Sequence, residues 1–574
     1  MTSFRIEQLP FATVARDDPL FNDEHFSNWP VVYTLNDDKR VYVGETLNFA
    51  LRMSQHLSSE EKKSLHIARI ILDDTFNKSV CLDLESYLIR LLAGDGRLKV
   101  MNLNDGVTDA NYFDRTRYRQ VFEEICDKLK EQGLFEQTVA EIENSDLFKL
   151  SPFKSLNMDQ MISVRTLLES LIEAVDHKTS STNVIKGDPG TGKTIVAIFF
   201  IKLLRDIAIT LLDEDSTSDS PFAEFFNPKN QELLQGLRVG LVVPQQSLRR
   251  SIRNVFRQTP KLEAGMVLSP FDVGESNEPY DILIVDEAHR LSQRANQPSG
   301  QLNKKFAHIN RFLFGKDDDS LTQLDWIREQ SMHQVYLLDT AQSVRPADLP
   351  IQIQQSLIEK AQNSKHYFEL RSQMRIKAHG DYVRYVRALL SSRPPTSLKF
   401  EGYDLRFFDD VQKLRTEITQ RNAEVGLSRL VAGFAWPWKS KKDPSAYDIE
   451  IDGLRLQWNR TDVDWINSPN SLGEVGSIHT VQGYDLNYAG VIIGLDLRYC
   501  PTFKSLYVDR KNYFDMKGKE NNKRLGITYT DEDLLQFVTN IYGVLLTRGM
   551  FGTYVYVCDS NLREYLRRYL SRRG

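Results

Sequence analysis

Cysteine is scarce: Cys81, Cys126, Cys500 and Cys558 stand far apart with no C-x-x-C pair. That excludes a disulfide framework and a cysteine-based zinc site, and leaves four reduced thiols as the expectation. Long apolar runs are missing too. The most apolar stretch, residues 195–201, is broken by Lys202 and by Arg205-Asp206, far short of the ~18 residues a membrane span needs. Residues Met1 to Glu7 lack the charged-then-apolar order of a secretion signal, so a cytoplasmic location and no membrane partner are expected. Charge of one sign is not in excess: the formal net charge is −5. The total therefore does not advertise a polyanion partner, although a local basic surface is all that such binding requires. No repeat of 20–50 residues is present, which excludes a solenoid. With 41% apolar and 26% charged residues over 574 positions, the chain is of globular composition and long enough for several domains.

What is present is more specific. Gly187-Asp188-Pro189-Gly190-Thr191-Gly192-Lys193-Thr194 fills every fixed position of the phosphate loop G-x-x-x-x-G-K-[ST]. A short β-forming run, residues 183–186, precedes it and an apolar helical run follows, the strand-loop-helix context the motif requires. Gly187, Gly190 and Gly192 let backbone N–H groups wrap phosphates, Lys193 reaches the β- and γ-phosphates, and the Thr194 hydroxyl ligates Mg²⁺. ATP and Mg²⁺ are the cofactors implied. About ninety residues on, the apolar run Ile282-Leu283-Ile284-Val285 ends in Asp286-Glu287-Ala288-His289. Two carboxylates at the C-terminal end of a parallel strand suit Asp286 to hold Mg²⁺ and Glu287 to orient and deprotonate the attacking water.

From about residue 150 to the end, these and further motifs resemble superfamily 1 helicases, and more narrowly the helicase half of Schlafen-type proteins. Residues Leu156-Asn157-Met158-Asp159-Gln160 resemble the adenine-reading motif, with Gln160 as the base-pairing amide. The strand and turn ending in Pro244, followed by Arg249, Arg250 and Arg253, resemble the element that grips a nucleic-acid strand; a solvated basic helix face is the other reading. Gln342, in Leu338-Asp339-Thr340-Ala341-Gln342, matches the glutamine that senses the γ-phosphate, although the family's leading glycine is Leu338 here. Arg375 and Arg548 fall in the two arginine motifs, and always-charged guanidinium forks suit the transition state of phosphoryl transfer. Gly483 lies in the motif that couples nucleotide to strand, where Asp485 replaces the family's usual glutamate. The resemblance implies a motor in which two halves clasp ATP and step along nucleic acid, DNA ahead of RNA.

Near the N-terminus, residues 31–35 and 40–44 are β-rich runs around the polar turn Asn36-Asp37-Asp38-Lys39, a hairpin pattern that sets Tyr33 and Tyr42 on neighbouring strands. Residues 47–57 read as a helix with Arg52 and His56 at i, i+4 on one face. A second helix over residues 82–92 places Glu85 with Leu82, Leu88, Ile89 and Leu92, a costly position for a carboxylate without a partner. Over about residues 28–105 this pattern resembles the GIY-YIG nucleases, with Val31-Val32-Tyr33 in place of Gly-Ile-Tyr. The resemblance implies that Tyr33 helps activate water, Arg52 stabilises the charged phosphorus centre and Glu85 holds one divalent metal. Tyr42 and His56 assist, and Asn102 is the closing asparagine, with Asn104 an alternative. A small docking domain whose tyrosines merely pack is the competing reading.

The fold class is therefore α/β: a GIY-YIG-like nuclease domain over residues 1–105, a helical linker over 106–150 serving as spacer or docking bundle, and two RecA-like parallel-sheet domains over 151–350 and 351–574. Modest insertions are expected within 288–330 and 385–470. Residues 213–220 read as an acidic, solvated loop. Residues 510–524 are basic and read either as a phosphate contact or as a solvated loop. The aromatics of Phe434-Ala435-Trp436-Pro437-Trp438 either stack bases or pack a core. The function expected is an ATP-dependent helicase or translocase with its own metal-dependent endonuclease, in defence against foreign nucleic acid or in repair. The alternative is an ATPase switch or sensor that gates the nuclease without unwinding.

Overall fold

The computed structural model describes residues 4–11, 26, 28–102, 112–210, 221–294, 297, 299–378, 381–391, 395, 400–461, 465–481 and 484–570. It divides into one unit of residues 1–176, 195–236 and 251–266, and another of residues 177–194, 237–250 and 267–574.

In the first unit, β2 (Val31–Asn36) and β3 (Arg40–Thr46) form the hairpin that the polar turn predicts, with Tyr33 opposite Gly44 and Leu35 opposite Tyr42. Asp37 closes the turn by accepting from the backbone N–H groups of Lys39 and Arg40 at 2.8 and 2.6 Å. With β1 (Phe4–Pro10), β4 (Ile67–Asp73) and β5 (Lys99–Val100), the sheet order is β1-β4-β2-β3-β5. Alternation along β2 sends its side chains to two cores. Tyr33 and Leu35 join Phe49 and Met53 of α1 (Phe49–Ser58), while Val32 joins Leu84 and Leu88 of α2 (Lys78–Asp95). Asn48 and Asn77 start these helices, each accepting from the backbone N–H three residues on. The buried stripe of α2 runs through Cys81, Leu84, Leu88 and Leu91. Leu82, Glu85 and Ile89, expected within that stripe, lie half-buried at its edge, because the 3.6-residue period centres the stripe elsewhere.

Helices α3 (Arg115–Glu131), α4 (Val139–Asn144) and α5 (Asp146–Lys149) follow. Tyr118, Phe122, Ile125 and Leu129 of α3 share one hydrophobic cluster with α2, and Asp83 of α2 pairs with Arg115 and Arg119 at 3.2 and 2.9 Å. α3 is thus packed onto the front module through α2. Next come α6 (Met158–Asp176) and α7 (Lys193–Ile209), buried almost throughout from Val196 to Ala208. The acidic loop at 213–220 and Asn104 lie outside the described residues.

The second unit contains a six-stranded, all-parallel sheet of order β11-β6-β10-β9-β7-β8. Its strands are β6 (Ser181–Gly187), β7 (Val239–Val242), β8 (Val267–Leu268), β9 (Tyr280–Val285), β10 (Ser331–Leu338) and β11 (Tyr367–Leu370). The apolar runs of β7 and β9 are what a parallel strand covered on both faces requires. A seven-stranded sheet follows in the order β12-β20-β17-β13-β16-β15-β14, parallel except for the last pair. It comprises β12 (Asp404–Phe407), β13 (Ser428–Ala432), β14 (Ile449–Ile451), β15 (Leu454–Trp458), β16 (Glu474–Gly476), β17 (Leu486–Ile493) and β20 (Gly549–Val557). Between β17 and β20 stands a separate hairpin, β18 (Leu497–Cys500) and β19 (Ser505–Val508).

Two open readings are decided here. Phe434 and Trp436 lie 5.2 and 6.3 Å, centroid to centroid, from the buried Trp458 ring, packing one cluster with Trp438, so these rings belong to a core. Within residues 510–524, Arg510, Lys517 and Arg524 pair with Asp531, Glu520 and Asp317, and Lys519 donates to the carbonyl of Arg510. Most of that basic charge is used internally.

Candidate functional site

The phosphate loop turns directly out of β6, with Gly190 and Gly192 in the left-handed region at φ 84° and 79°. Side chains are strained there, and a Cβ at Gly190 would also meet the Gln373 amide at 2.0 Å. Lys193 is buried and folds back on the loop, donating to the carbonyls of Gly187 and Asp188 at 2.8 and 3.2 Å. Its ammonium lies 3.8 Å from Asp339. The Thr194 hydroxyl donates to Asp286 Oδ2 at 2.7 Å. Asp286 is fully buried and its Oδ1 has no hydrogen-bond partner among the described residues. Burial, reinforced by neighbouring Glu287, pushes the Asp286 carboxyl up to about 6. An orphaned carboxylate oxygen beside a threonine hydroxyl fits Mg²⁺, which prefers a hard oxygen set of one or two protein ligands plus phosphates. No group of three or more His, Cys, Asp or Glu able to hold a metal occurs among the described residues.

Glu287 follows in the left-handed region at φ 50°, an uncommon conformation for a side-chain-bearing residue and one found at functional sites. Burial alone would raise its carboxyl, but His289, whose Nε2 lies 3.1 Å away, together with Lys193 and Arg290, holds it low. Glu287 is therefore charged beside an Asp286 that is more easily protonated. On β10's far end, Gln342 Nε2 donates to Asp339 Oδ2 at 2.6 Å.

The arginine segment touches the phosphate loop: Gln373 Nε2 donates to the Pro189 carbonyl at 2.6 Å and Met374 N–H to the Gly190 carbonyl at 2.8 Å. Arg375 pairs with Asp485, and its Nη1 is buried without a hydrogen-bond partner among the described residues. Arg548 is fully buried, donates through Nη1 to the Tyr484 carbonyl at 3.1 Å, and has no partner for Nε among the described residues. Burial and the adjacent Arg375 press its guanidinium down to about 9, while Asp485 and Glu287 oppose them. Gln160 belongs to the first unit, where its amide oxygen accepts from Asn157 N–H at 3.1 Å. Gly483 lies outside the described residues. Arg249, one of the two readings above, donates to the Val243 and Pro244 carbonyls at 2.6 and 3.2 Å and so braces its own turn.

In the front module, the Tyr33 hydroxyl and His56 Nε2 are hydrogen-bonded at 2.7 Å. The Tyr33 ring lies 6.2 Å from Tyr42. Arg52 interacts with both tyrosines. Burial above all, then Tyr42, keeps Tyr33 protonated far above the ordinary tyrosine range; Glu85 acts in the same direction. Burial, then Lys62 and Arg52, lowers His56 to about 2, so its ring is neutral. Asn102 clamps β3: it accepts from Val43 N–H at 3.0 Å and donates to the Val43 carbonyl at 2.7 Å. Val31, standing where the signature has glycine, is fully buried in the same cluster as Tyr33.

Four residues, Gly44, Lys62, Asp339 and Arg387, have contacts that the motifs do not assign. A Cβ at Gly44 would lie 2.3 Å from the Tyr33 hydroxyl, so the tyrosine reaches His56 only because position 44 is bare; the Tyr42-Val43-Gly44 triplet is the sequence signal. Lys62 sits 3.8 Å over the Tyr42 ring. Buried Asp339 gathers Lys193, Gln342 and Arg387. Arg387 pairs with Asp188 of the phosphate loop at 2.9 Å and lies 3.7 Å from Asp339. It also lines a cavity of about 480 Å³ together with Pro189, Gln342 and Val544.

Comparison with known proteins agrees with the resemblances. The family profile of the Schlafen group 3, DNA/RNA helicase domain matches residues 180–559, and that of the GIY-YIG catalytic domain matches residues 31–96. Uncharacterized protein YPL245W of Saccharomyces cerevisiae is 25% identical over 428 residues, covering 68% of this chain and 85% of its own. Among solved structures, the complex structure of Arterivirus nonstructural protein 10 (helicase) with DNA is similar over 70% of this chain, at 13% identity and a TM-score of 0.27; this chain spans 65% of its length. With more than half of its length matched, the chain belongs to the Schlafen group 3 DNA/RNA helicase family and carries a GIY-YIG catalytic domain ahead of it, a nuclease–helicase fusion.

Proposed function

We propose that this protein is an ATP-driven motor on nucleic acid, DNA ahead of RNA, whose front module cuts phosphodiester bonds. The observation that carries the motor reading is a set of buried polar atoms without a hydrogen-bond partner among the described residues: Asp286 Oδ1, Arg375 Nη1 and Arg548 Nε. Buried groups of this kind cost stability and mark a place where a ligand completes the network. One carboxylate oxygen and two guanidinium donors complement a metal-bound triphosphate. On this reading Gly187, Gly190 and Gly192 wrap the phosphates, and Lys193 exchanges its loop carbonyls for phosphate oxygens. Thr194 and Asp286 hold Mg²⁺, which supplies charge neutralisation. Glu287, held ionised, takes the proton of the attacking water, Gln342 senses the γ-phosphate, and Arg375 and Arg548 neutralise developing charge. Gln160 reads the base, and Gly483 couples nucleotide to strand.

In the front module, Glu85 would hold a divalent ion jointly with a substrate phosphate, and that ion supplies electrophilic activation. Arg52 neutralises the phosphorus centre, with Tyr42 beside it. Tyr33, hydrogen-bonded to neutral His56, passes a proton to it as it accepts one from water. A bound phosphodiester also offsets the charges of Lys62 and Arg52, two of the causes that weaken His56 as a base. Such a fusion suits the restriction of foreign nucleic acid or repair, in the cytoplasm.

The test is one preparation assayed on labelled duplex DNA, single-stranded DNA and RNA, with and without ATP and Mg²⁺. Nucleic-acid-stimulated ATP hydrolysis with strand displacement is the expected motor result, and Mg²⁺-dependent cleavage the expected nuclease result. Stimulated hydrolysis without displacement or directional movement would replace the motor by an ATP-gated switch.

A further inference from the structure

The hairpin of β18 and β19 holds an aromatic ring away from the protein on a fixed base. Its inner face carries Leu497, Tyr499, Leu506 and Val508, packed into or against the main cluster of the second unit. The Tyr499 ring stacks on Tyr565 at 4.4 Å and 15°. Arg498, on the opposite face, pairs with Asp559 and Asp509 at 3.0 and 3.3 Å. The connecting turn, residues 501–504, presents Phe503 at 80% exposure, with Tyr507 at 39% on the outer face.

A single exposed phenylalanine needs no explanation. This one is set apart by its surroundings. Residues 495–527 carry eight lysines and arginines against four acids, and although Arg498, Arg510, Lys517, Lys519 and Arg524 are engaged internally, three lysines remain over. Lys504, beside Phe503, and Lys511 and Lys523 are exposed and make no ion pair among the described residues. An exposed ring on a packed hairpin, with an unpaired cation next to it in the turn, is the chemistry that binds single-stranded nucleic acid, stacking on any base while an ammonium group meets a phosphate.

We propose that Phe503 is a base-stacking tip, contacting an unpaired base of the strand on which the motor acts, with Lys504 on the adjoining phosphate. This rests on the nucleic-acid reading of the second unit and adds a contact outside its sequence motifs.

The experiment uses the full chain without ATP and a single-stranded DNA oligonucleotide carrying 2-aminopurine at successive positions. Phe503→Ala is expected to weaken binding about fivefold or more and to abolish the quenching seen at one position, with ATP turnover in the absence of nucleic acid unchanged. Phe503→Trp is expected to retain affinity and to lose indole emission when the oligonucleotide binds. Lys504→Ala is expected to lower the salt slope of log affinity by about 1. Phe503→Ala binding like the unaltered chain, together with unchanged Phe503→Trp emission, would overturn the proposal. Loss of self-association in Phe503→Ala at constant oligonucleotide affinity would overturn it too, and give the tip to a second copy of the chain. If the unaltered chain binds no oligonucleotide at all, the motor reading falls with it.

Discussion

On the proposed function, the two sites face the same chemical problem, reaction at phosphorus, with opposite materials. The nucleotide site is a buried lattice of full charges, with Lys193, Asp286, Glu287, Asp339, Arg375, Asp485 and Arg548 all at low exposure or in contact with one another. The front site has a neutral centre: a protonated tyrosine on an unprotonated histidine, with Arg52, Lys62 and Glu85 as the charges around it. Buried charges must be paired, so each is fixed by its partners and by a short sequence motif. A neutral hydrogen-bonded pair is fixed by packing, which leaves a weaker trace in sequence. The lesson is that degeneracy of a motif measures how much of the site's geometry is delegated to the core.

The sharpest break between the sites is functional independence. Lys193→Ala should lower ATP turnover about a thousandfold, since it removes the cation on the transferring phosphate, while Mg²⁺-dependent cleavage without ATP stays as it was. Phosphate release and gel cleavage on one preparation decide it; a parallel loss of cleavage would dissolve the comparison. The converse is next in size. Glu85→Gln should reduce cleavage about a hundredfold or more, removing the only charged metal ligand assigned there, with ATP hydrolysis within about twofold of the unaltered chain.

Around the proposed nucleotide site the sequence makes the local fold legible, because loop, strand and carboxylate pair are contiguous in the chain. Apolar runs before Gly187 and Asp286 are strands of a parallel sheet, as their composition requires. What it leaves dark are contacts between distant segments: Arg387 with Asp188, and Gln373 with the loop carbonyls. The hairpin of the front sheet is legible from its turn residues and both helices from their side-chain spacing, although α2 starts at Lys78, ahead of the 82–92 that the spacing marks. The burial stripe of α2 is legible only approximately, since a lone carboxylate at a stripe's edge and one at its centre have the same spacing pattern. Val31 shows why the signature tolerates change: its position is core, while the bare position that Tyr33 needs is Gly44.

That difference yields a stability test. Gly44→Ala puts a methyl group against the Tyr33 hydroxyl, and overpacking of this kind costs about 1–3 kcal/mol. Cleavage should fall with it, because the tyrosine must leave His56. Gly265→Ala, where nothing lies within 4 Å of an added Cβ, should stay within about 0.5 kcal/mol. Denaturant midpoints of the first unfolding transition, read for both variants, separate a packing requirement from ordinary glycine tolerance.

The neutrality of the front site has its own signature in pH. His56 titrates near 6.5 when unfolded and near 2 in the folded protein, so the folded state binds fewer protons below 6.5. Its contribution is complete above that pH and is lost progressively as the pH falls, by up to about 1.4 kcal/mol per unit for one proton. His56→Gln keeps a hydrogen-bond acceptor and cannot titrate. Its first transition should therefore depend less steeply on pH between about 6 and 4. An unchanged slope would mean that the Tyr33–His56 pair is not held neutral by burial.

The smallest effect probes the charged lattice at its rim. Arg387 is 39% exposed, so its pairing with Asp188 and Asp339 is screened and worth little to folding, about 0–1 kcal/mol. Its value should appear in nucleotide binding, because without Arg387 the loop's Asp188 acts on the ligand unneutralised and Asp339 is left to Lys193 and Gln342. Arg387→Gln should raise KM for ATP about two- to fivefold and leave kcat unchanged; Arg387→Lys should restore KM in part, since a point charge neutralises but forms no fork. A fall in kcat with constant KM would instead make Arg387 a third transition-state arginine, and the boundary between the site's buried core and its exposed rim would have to be drawn outside it.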